Sequence, residues 1–182
     1  TILMIGATVI NPKANTLVVM PKSLLEQWRN AITSFTALDE KDVLVYHGAK
    51  GRAVQTEDIS NYKMVSTTYG MIATRNTKAN TPQYRCPLWT QNWDRIIYDE
   101  SHPLRNSNTS QLKGATLLKA PIKWMVTGTP INNKNKDFYI QSLIQGSGNT
   151  FTTDRKEIRR IRDASSLQRT NKQIGMNVAR RK

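Results

Sequence analysis

Residues 95–102 read Arg95-Ile96-Ile97-Tyr98-Asp99-Glu100-Ser101-His102, and they are the most informative part of the sequence for its architecture. The apolar run before Asp99 is typical of a buried β-strand, and it delivers two adjacent carboxylates to the edge of a sheet. Hydrolysis of a nucleoside triphosphate needs one carboxylate to hold Mg²⁺ through its water shell and a second group to orient the attacking water. Asp99 suits the first role and Glu100 the second. The alternative is that the pair only caps the following helix.

Four other short apolar runs predict strands of the same sheet. They are residues 17–20, 43–46, 64–67 and 124–127. Apolar residues at helical spacing follow the first run, with Ser23 as the predicted N-cap, and further helices are predicted at residues 110–118 and 136–144. Strands that alternate with helices indicate an α/β fold with a mostly parallel sheet.

Polar residues stand at the carboxyl ends of four of the predicted strands. They are Pro21-Lys22, Thr67-Thr68, Asp99-Glu100 and Gly128-Thr129. Ligands of open α/β sheets bind outside these strand ends. Lys22, Ser23, Thr67 and Thr68 favour contact with phosphate groups, although Ser23 is also explained by helix capping alone. Trp28 is predicted to anchor its helix in the core rather than to stack on a base.

The composition indicates a folded and strongly basic chain. Of its 182 residues, 38% are hydrophobic and 22% are charged, and the formal net charge is +14. This balance favours a polyanionic partner such as nucleic acid, with a solvated basic surface as the alternative. The single cysteine excludes an internal disulfide and a cysteine-based zinc site. The apolar residues 1–10 are too few to span a bilayer, so no membrane partner is expected.

The sequence predicts one domain over residues 1–146 and a basic linker or tail over residues 147–182. Residues 151–182 hold ten Lys and Arg against three Asp and Glu, with few apolar residues for a separate core. The tail is interpreted as a helix near residues 154–163 followed by a basic end that contacts DNA phosphates. The open alternatives are a nuclear-targeting signal and a segment that folds against another domain.

Five segments of the chain resemble motifs of the SWI/SNF branch of the superfamily 2 helicase-like, DNA-dependent ATPases, and they follow one another in the same order as in that family. Residues 99–102 are similar to the acidic box of that family, with Arg105-Asn106 and then Thr109 behind it. Residues 17–28 and 65–70 resemble its two DNA-contacting segments. Residues 126–133 resemble its Thr-Gly-Thr-Pro box, and residues 136–139 with 167–170 resemble the continuation towards its second lobe.

The resemblance implies a RecA-like three-layer sandwich that is incomplete at its amino terminus. It implies ATP and Mg²⁺ as cofactors, with Asp99 holding Mg²⁺ through water and His102 bonding across to residues 127–129. Thr127, Gly128 and Thr129 would couple the nucleotide site to DNA. The implied DNA contacts are Pro21, Lys22, Ser23, Thr67, Thr68, Arg105 and Asn106.

The implied partners are double-stranded DNA, a second RecA-like lobe of the same polypeptide, and nucleosomes or other DNA-bound proteins. The implied location is the nucleus, or another site of DNA metabolism if the source is not eukaryotic. The family function would be that of an ATP-dependent DNA translocase in chromatin remodelling or DNA repair. His47 is given no catalytic role.

The phosphate loop of that family is missing from the sequence. No Gly-x-x-x-x-Gly-Lys followed by Ser or Thr occurs in the 182 residues, and Thr1 stands where the last residue of that pattern would fall. The chain is therefore predicted to be a fragment that neither binds ATP tightly nor hydrolyses it by itself. The alternatives are a non-catalytic nucleic-acid-binding module derived from such a lobe and an unrelated α/β nucleotide-binding domain.

Overall fold

Five parallel strands form a single sheet in the order β2-β3-β1-β4-β5. The computed structural model describes residues 1–75, 86–104 and 109–128, together with Ile140, Ile144 and Arg160. The strands are β1 (Thr16–Met20), β2 (Val43–Tyr46), β3 (Met64–Thr68), β4 (Arg95–Tyr98) and β5 (Ile122–Met125). The α/β fold class with a parallel sheet is thereby confirmed.

Helices cover both faces of this sheet. They are α1 (Ile2–Ile10), α2 (Leu25–Phe35), α3 (Gly48–Arg52), α4 (Tyr69–Ile72) and α5 (Ser110–Leu117). Successive side chains of a strand point to opposite faces, so β1 contributes to two separate cores. Leu17 and Val19 pack in the core that includes residues of α4 and α5, whereas Val18 and Met20 pack in the core that includes residues of α1 and α2. The result is a three-layer arrangement.

The central strands carry this architecture because they are buried on both faces. All five residues of β1 and all four residues of β4 are buried. Continuous apolar runs of this kind are typical of parallel sheets that are sandwiched between helices. Pro21 follows β1 directly, and because proline has no backbone N–H it cannot extend the ladder of hydrogen bonds.

The start of α2 differs from the prediction. Ser23 is not the N-cap: it lies inside a 3₁₀ turn, Lys22–Leu24, and α2 begins only at Leu25 without a side-chain cap. The chain turns instead through Pro21, whose carbonyl accepts a 3.0 Å hydrogen bond from the Leu24 N–H. A backbone interaction therefore takes the place that the sequence pattern assigned to the serine hydroxyl.

Two further boundaries differ by a few residues. The predicted strand at residues 124–127 lies at Ile122–Met125, while the apolar residues near the amino terminus form α1, for which no helix was predicted. The helix predicted at residues 110–118 is confirmed as α5, and Thr109 caps it by accepting a 3.2 Å bond from the Leu112 N–H.

Arg95 joins the amino end of β4 to the end of α1. Its side chain is fully buried, its Nη2 donates to the carbonyl of Asn11, and its guanidinium lies 4.8 Å from the centre of the Trp124 ring. Burial lowers the pKa of Arg95, and the nearby charge of Asp94 opposes that effect. The contact fixes β4 against α1 at the edge of the sheet opposite to Asp99.

The chain divides into two compact units, residues 1–149 and residues 150–182. Apart from Arg160, the second unit lies outside the described residues, as do the predicted helices at residues 136–144 and 154–163 except for Ile140, Ile144 and Arg160. Both isoleucines are buried in the core on the α4 and α5 side. Within the described part of the chain, no helix is long and apolar enough to cross a membrane.

Candidate functional site

The turn after β4 lies at the carboxyl edge of the sheet, between the ends of β1 and β5. The Asp99 N–H donates to the carbonyl of Val19 on β1 at 2.8 Å, so the strand pairing continues one step beyond Tyr98. On the other side, Val126 donates to the Tyr98 carbonyl at 2.8 Å, and Ser101 donates to the Val126 carbonyl at 3.2 Å. These bonds hold the acidic turn against the segment that follows β5.

The Asp99 side chain is buried and hydrogen-bonded at both oxygens. Oδ2 accepts a 2.7 Å bond from the indole Nε1 of Trp28, and Oδ1 accepts a 3.0 Å bond from the backbone N–H of Glu100. Only 4% of Asp99 is exposed, at the edge of the sheet. Hydrogen bonds to both oxygens restrict rotation of the carboxylate.

The backbone of Asp99 is held from the other layer of the sandwich. The hydroxyl of Tyr69, at the start of α4, donates to the Asp99 carbonyl at 2.7 Å. Burial raises the pKa of Tyr69 well above its usual range, and the charges of Tyr98, Asp99 and Glu100 raise it further. Tyr69 therefore stays protonated and remains a donor, so side chains from both faces of the sheet fix the position of Asp99.

Glu100 has an unusual backbone conformation. Its φ is +46°, which lies in the left-handed region that residues with a Cβ rarely adopt. The Glu100 carbonyl accepts a 2.8 Å bond from the His102 N–H, and 45% of its side chain is exposed. The turn therefore directs the Glu100 carboxylate to solvent while the neighbouring Asp99 carboxylate stays buried.

His102 connects Glu100 to the segment after β5. Its Nε2 lies 3.1 Å from Oε2 of Glu100, and its Nδ1 lies 3.1 Å from the hydroxyl of Thr127. A neutral ring that donates from Nε2 to the carboxylate must accept at Nδ1, so the Thr127 hydroxyl then donates; a protonated ring donates on both sides. The predicted bond between His102 and the segment at residues 127–129 is confirmed at Thr127. Gly128 is exposed and follows directly, whereas Thr129 lies outside the described residues.

The residues predicted to contact DNA occupy different environments. Lys22 and Ser23 are exposed and Pro21 is half-buried, all at the carboxyl end of β1. Thr67 is fully buried and its hydroxyl donates to the Tyr46 carbonyl at 2.8 Å, so its side chain is not presented at the surface as the sequence predicted.

Thr68 is 6% exposed and lies 3.4 Å from Nδ1 of His47. The strand pattern placed both threonines at a strand end but did not show that β3 is covered on both sides. Arg105 and Asn106 lie outside the described residues.

The acidic turn fits a magnesium ion that keeps most of its own water. Within residues 1–75, 86–104 and 109–128, no three His, Cys, Asp or Glu side chains lie close enough to form a metal cage. Mg²⁺ in nucleotide sites does not need one, because one or two carboxylates, several waters and the substrate phosphates complete its shell. Asp99, with both oxygens held and little exposed surface, is the residue that suits this role.

Two supporting residues of Asp99 were missed by sequence reasoning. Trp28 was predicted only as a core anchor, and it is fully buried, yet its indole N–H also reaches the acidic box 71 positions away. Tyr69 was seen only as part of a motif. A buried Trp or Tyr needs a hydrogen-bond partner, which was a usable signal, but only the folded chain shows which acceptor it finds.

The sequence of residues 1–170 matches the model of the SNF2-related domain. The chain belongs to the SNF2-related family. Family members are DNA-dependent, helicase-like ATPases. The predicted resemblance to this family is thereby confirmed.

Several SNF2-related relatives share about a third of their residues with this chain. The DNA repair protein RAD5B of Arabidopsis thaliana is 33% identical over 134 residues, which are 72% of this chain and 10% of that protein. DNA repair protein RAD5 of Saccharomyces cerevisiae is 34% identical over 134 residues, or 68% of this chain and 12% of that protein. Transcription termination factor 2 of Drosophila melanogaster is 33% identical, with 70% and 11% covered.

Solved SNF2-family structures have the same fold. The SWI2/SNF2 ATPase core of Sulfolobus solfataricus in complex with double-stranded DNA superposes with a TM-score of 0.67 at 21% identity, covering 94% of this chain and 37% of that one. The same core domain in a second structure gives a TM-score of 0.66 at 24% identity, covering 91% and 35%. The chain thus spans little more than a third of these structures and between 10% and 12% of the three relatives above.

Proposed function

We propose that this chain supplies the magnesium-binding and water-orienting half of the ATP site of a DNA translocase that acts in DNA repair or chromatin remodelling. One observation carries the proposal. Asp99 and Glu100 follow β4 in succession, one buried and one half-exposed, and His102 links the Glu100 carboxylate to Thr127. A pair that served only to cap a helix would not need two carboxylates in such different environments.

The roles of the two carboxylates follow from their surroundings. Asp99, whose two oxygens are fixed by hydrogen bonds, would hold Mg²⁺ through its water shell. Glu100 is free to accept a hydrogen bond from an attacking water, as a general base or orienting group must. When bound, Mg²⁺ neutralises charge on the phosphate oxygens. His102 contacts both Glu100 and Thr127, so a movement of the Glu100 carboxylate would be transmitted to Thr127. Gly128 and Thr129 would complete the coupling segment.

The DNA-binding side of the proposal rests on the same edge of the sheet. Lys22, Ser23 and Pro21 lie at the end of β1, which is the strand next to β4. Phosphate groups bind to lysine side chains and to the backbone N–H groups of such turns. Thr67 and Thr68 would act at the junction of β3 and α4, and Arg105 and Asn106 remain proposed contacts. Double-stranded DNA, on its own or with nucleosomes or other bound proteins, is the proposed partner in the nucleus.

Further groups are needed to complete the catalytic site. The sequence has no phosphate-loop lysine, and a second RecA-like lobe is the proposed source of the cations on the other side of the nucleotide. We propose residues 1–146 as one lobe and residues 147–182 as the basic connection towards the second. The 182-residue chain alone is therefore expected to hydrolyse no ATP. The second candidate, a nucleic-acid-binding module without catalysis, is supported by the formal net charge of +14.

Glu100→Gln in the full-length polypeptide tests the proposal. The amide keeps the size of the side chain but cannot act as a base, so DNA-stimulated ATP hydrolysis should fall by roughly 10²- to 10⁴-fold while DNA binding persists. Steady-state phosphate release, measured with and without duplex DNA, gives the result. Glu57→Gln is the matched control, because Glu57 is exposed and lies 43 positions before Glu100 in the sequence, at the start of a 3₁₀ turn. An unchanged rate in the Glu100 variant, or no hydrolysis in the wild type, contradicts the proposed function.

A further inference from the structure

The hydrogen bond between Trp28 and Asp99 joins a core residue to the acidic box. The indole Nε1 lies 2.7 Å from Oδ2 of Asp99, and Trp28 is fully buried while Asp99 is 4% exposed. A buried hydrogen bond to a carboxylate oxygen is stronger than one between two neutral groups. A buried indole N–H does not need a carboxylate as its acceptor. That of Trp93 donates to a backbone carbonyl, that of Leu88, at 3.0 Å.

We propose that Trp28 is a positioning residue for magnesium, which acts by fixing the orientation of the Asp99 carboxylate. The proposal rests on the proposed function and names a residue that this function had not assigned. An indole N–H only donates, so Trp28 cannot compete for the metal or take up the proton of Asp99. It therefore holds Oδ2 without changing the charge of the site.

The remaining contacts of Asp99 show why this donor matters. The Glu100 N–H binds Oδ1 but belongs to the same turn and moves with it. Trp28 belongs instead to α2, in the helical layer on one face of the sheet. Tyr69 holds only the backbone carbonyl. Among the described contacts, Trp28 is thus the side chain that ties the carboxylate itself to the rest of the fold. Without it the carboxylate can rotate about its last side-chain bond and lose the geometry that the metal waters need.

Trp28→Phe separates this role from packing. Phenylalanine keeps a buried aromatic ring on α2 but lacks the N–H donor. Residues that orient a metal ligand typically change metal affinity or activity by roughly 10- to 100-fold when they are replaced. Because Asp99 reaches the metal through water, we expect the Mg²⁺ concentration for half-maximal ATPase activity to rise by about tenfold. The activity should recover in part at high Mg²⁺.

Trp93→Phe is the matched control, since it also removes one buried indole N–H and takes that donor from a buried residue, Leu88. Both variants should lose stability, but only Trp28→Phe should alter the Mg²⁺ dependence of the full-length, DNA-stimulated enzyme. Equal Mg²⁺ dependence in the two variants overturns the role of Trp28 while leaving the proposed function in place. A wild-type protein without ATPase activity overturns the proposed function, and the role of Trp28 with it.

A second measurement tests the contact directly in the full chain, without ATP. The four indole ¹H–¹⁵N resonances are assigned by single Trp→Phe variants, and Asp99→Asn is then introduced. Loss of the carboxylate charge should shift the Trp28 resonance upfield in ¹H and leave that of Trp93 in place. A Trp28 resonance that does not respond to Asp99→Asn overturns the contact on which the proposal depends.

Discussion

The backbone conformation of Glu100 is strained, and this strain accompanies the position of its carboxylate in the acidic box. A φ of +46° costs a residue with a Cβ roughly 1–3 kcal/mol when the surrounding structure imposes it. The imposing contacts are visible on both sides, because Asp99 is paired to Val19 and Ser101 is paired to Val126. The turn must complete its change of direction between these two bonds. The strain therefore follows from placing two carboxylates in succession with one buried and one exposed.

Glu100→Gly and Glu100→Ala isolate this strain. Both variants lack the carboxylate and its contact with His102, but glycine adopts positive φ freely whereas alanine does not. Relief of the strain exceeds the extra entropy that glycine loses on folding, so we expect the glycine variant to be more stable than the alanine variant by about 1 kcal/mol. Urea denaturation of the chain, followed by circular dichroism, measures the difference. A glycine variant that is the less stable of the two contradicts the strain.

The strand ends were accessible from the sequence, whereas the residues that support them were not. An apolar run followed by Asp99 and Glu100 specifies both the strand and its acidic end, because the period of a buried strand and the position of its first charges are local properties. The bond from Trp28 to Asp99 spans two layers of the sandwich and depends on how α2 lies on the sheet. No local pattern contains that information, and the same is true of Tyr69.

The predicted start of α2 was wrong for a related reason. Ser23 has the right residue type for a cap, but Pro21 and Leu24 close a backbone turn first, and α2 begins beyond it. The prediction that the Thr67 side chain lies at the surface was wrong because β3 lies between two neighbouring strands. Its hydroxyl therefore donates to the Tyr46 carbonyl instead of contacting solvent. In both cases a backbone partner provided by the fold replaced the partner that the residue type suggested.

The contact between α5 and α4 depends on a residue without a side chain. A Cβ at Gly114 would lie 1.7 Å from the carbonyl oxygen of Ile72 and 2.7 Å from its carbonyl carbon, and neither backbone atom can move without shifting α4. Gly114→Ala should therefore destabilise the chain by roughly 1–3 kcal/mol, as overpacking of a core does. The free energy of unfolding in urea gives the value.

Gly6→Ala is the control for that experiment, because nothing lies within 4 Å of the added Cβ in α1. Alanine is the better helix former, so this variant should gain up to about 1 kcal/mol. The two substitutions are chemically identical, and a loss of similar size at both positions would show that α5 does not approach Ile72 as closely as the structure has it.

At the scale of the whole molecule, the sheet separates two kinds of surface. The carboxyl edge holds Lys22, the acidic turn and the segment at Thr127, while the amino edge holds the buried Arg95 and the contact with Asn11. Trp28 lies on the helix that follows the Lys22 turn and touches Asp99, so the proposed DNA-binding and magnesium-binding segments are one side chain apart. A displacement of α2 by DNA would act directly on the Asp99 carboxylate.

The salt dependence of DNA binding tests whether the carboxyl edge is the surface that DNA contacts. Each lysine–phosphate contact releases counterions and contributes about 0.9 to the slope of log K against log salt, so Lys22→Ala should reduce that slope by about 1. Lys41→Ala is the matched control: it removes the same charge, but Lys41 precedes β2 at the amino edge and lies 3.3 Å from Asp39. Fluorescence anisotropy of a labelled duplex at several salt concentrations measures both slopes. Because the net charge of +14 attracts DNA to the whole chain, affinity alone does not separate the two surfaces, and equal slopes for the two variants would move the proposed DNA contact away from the end of β1.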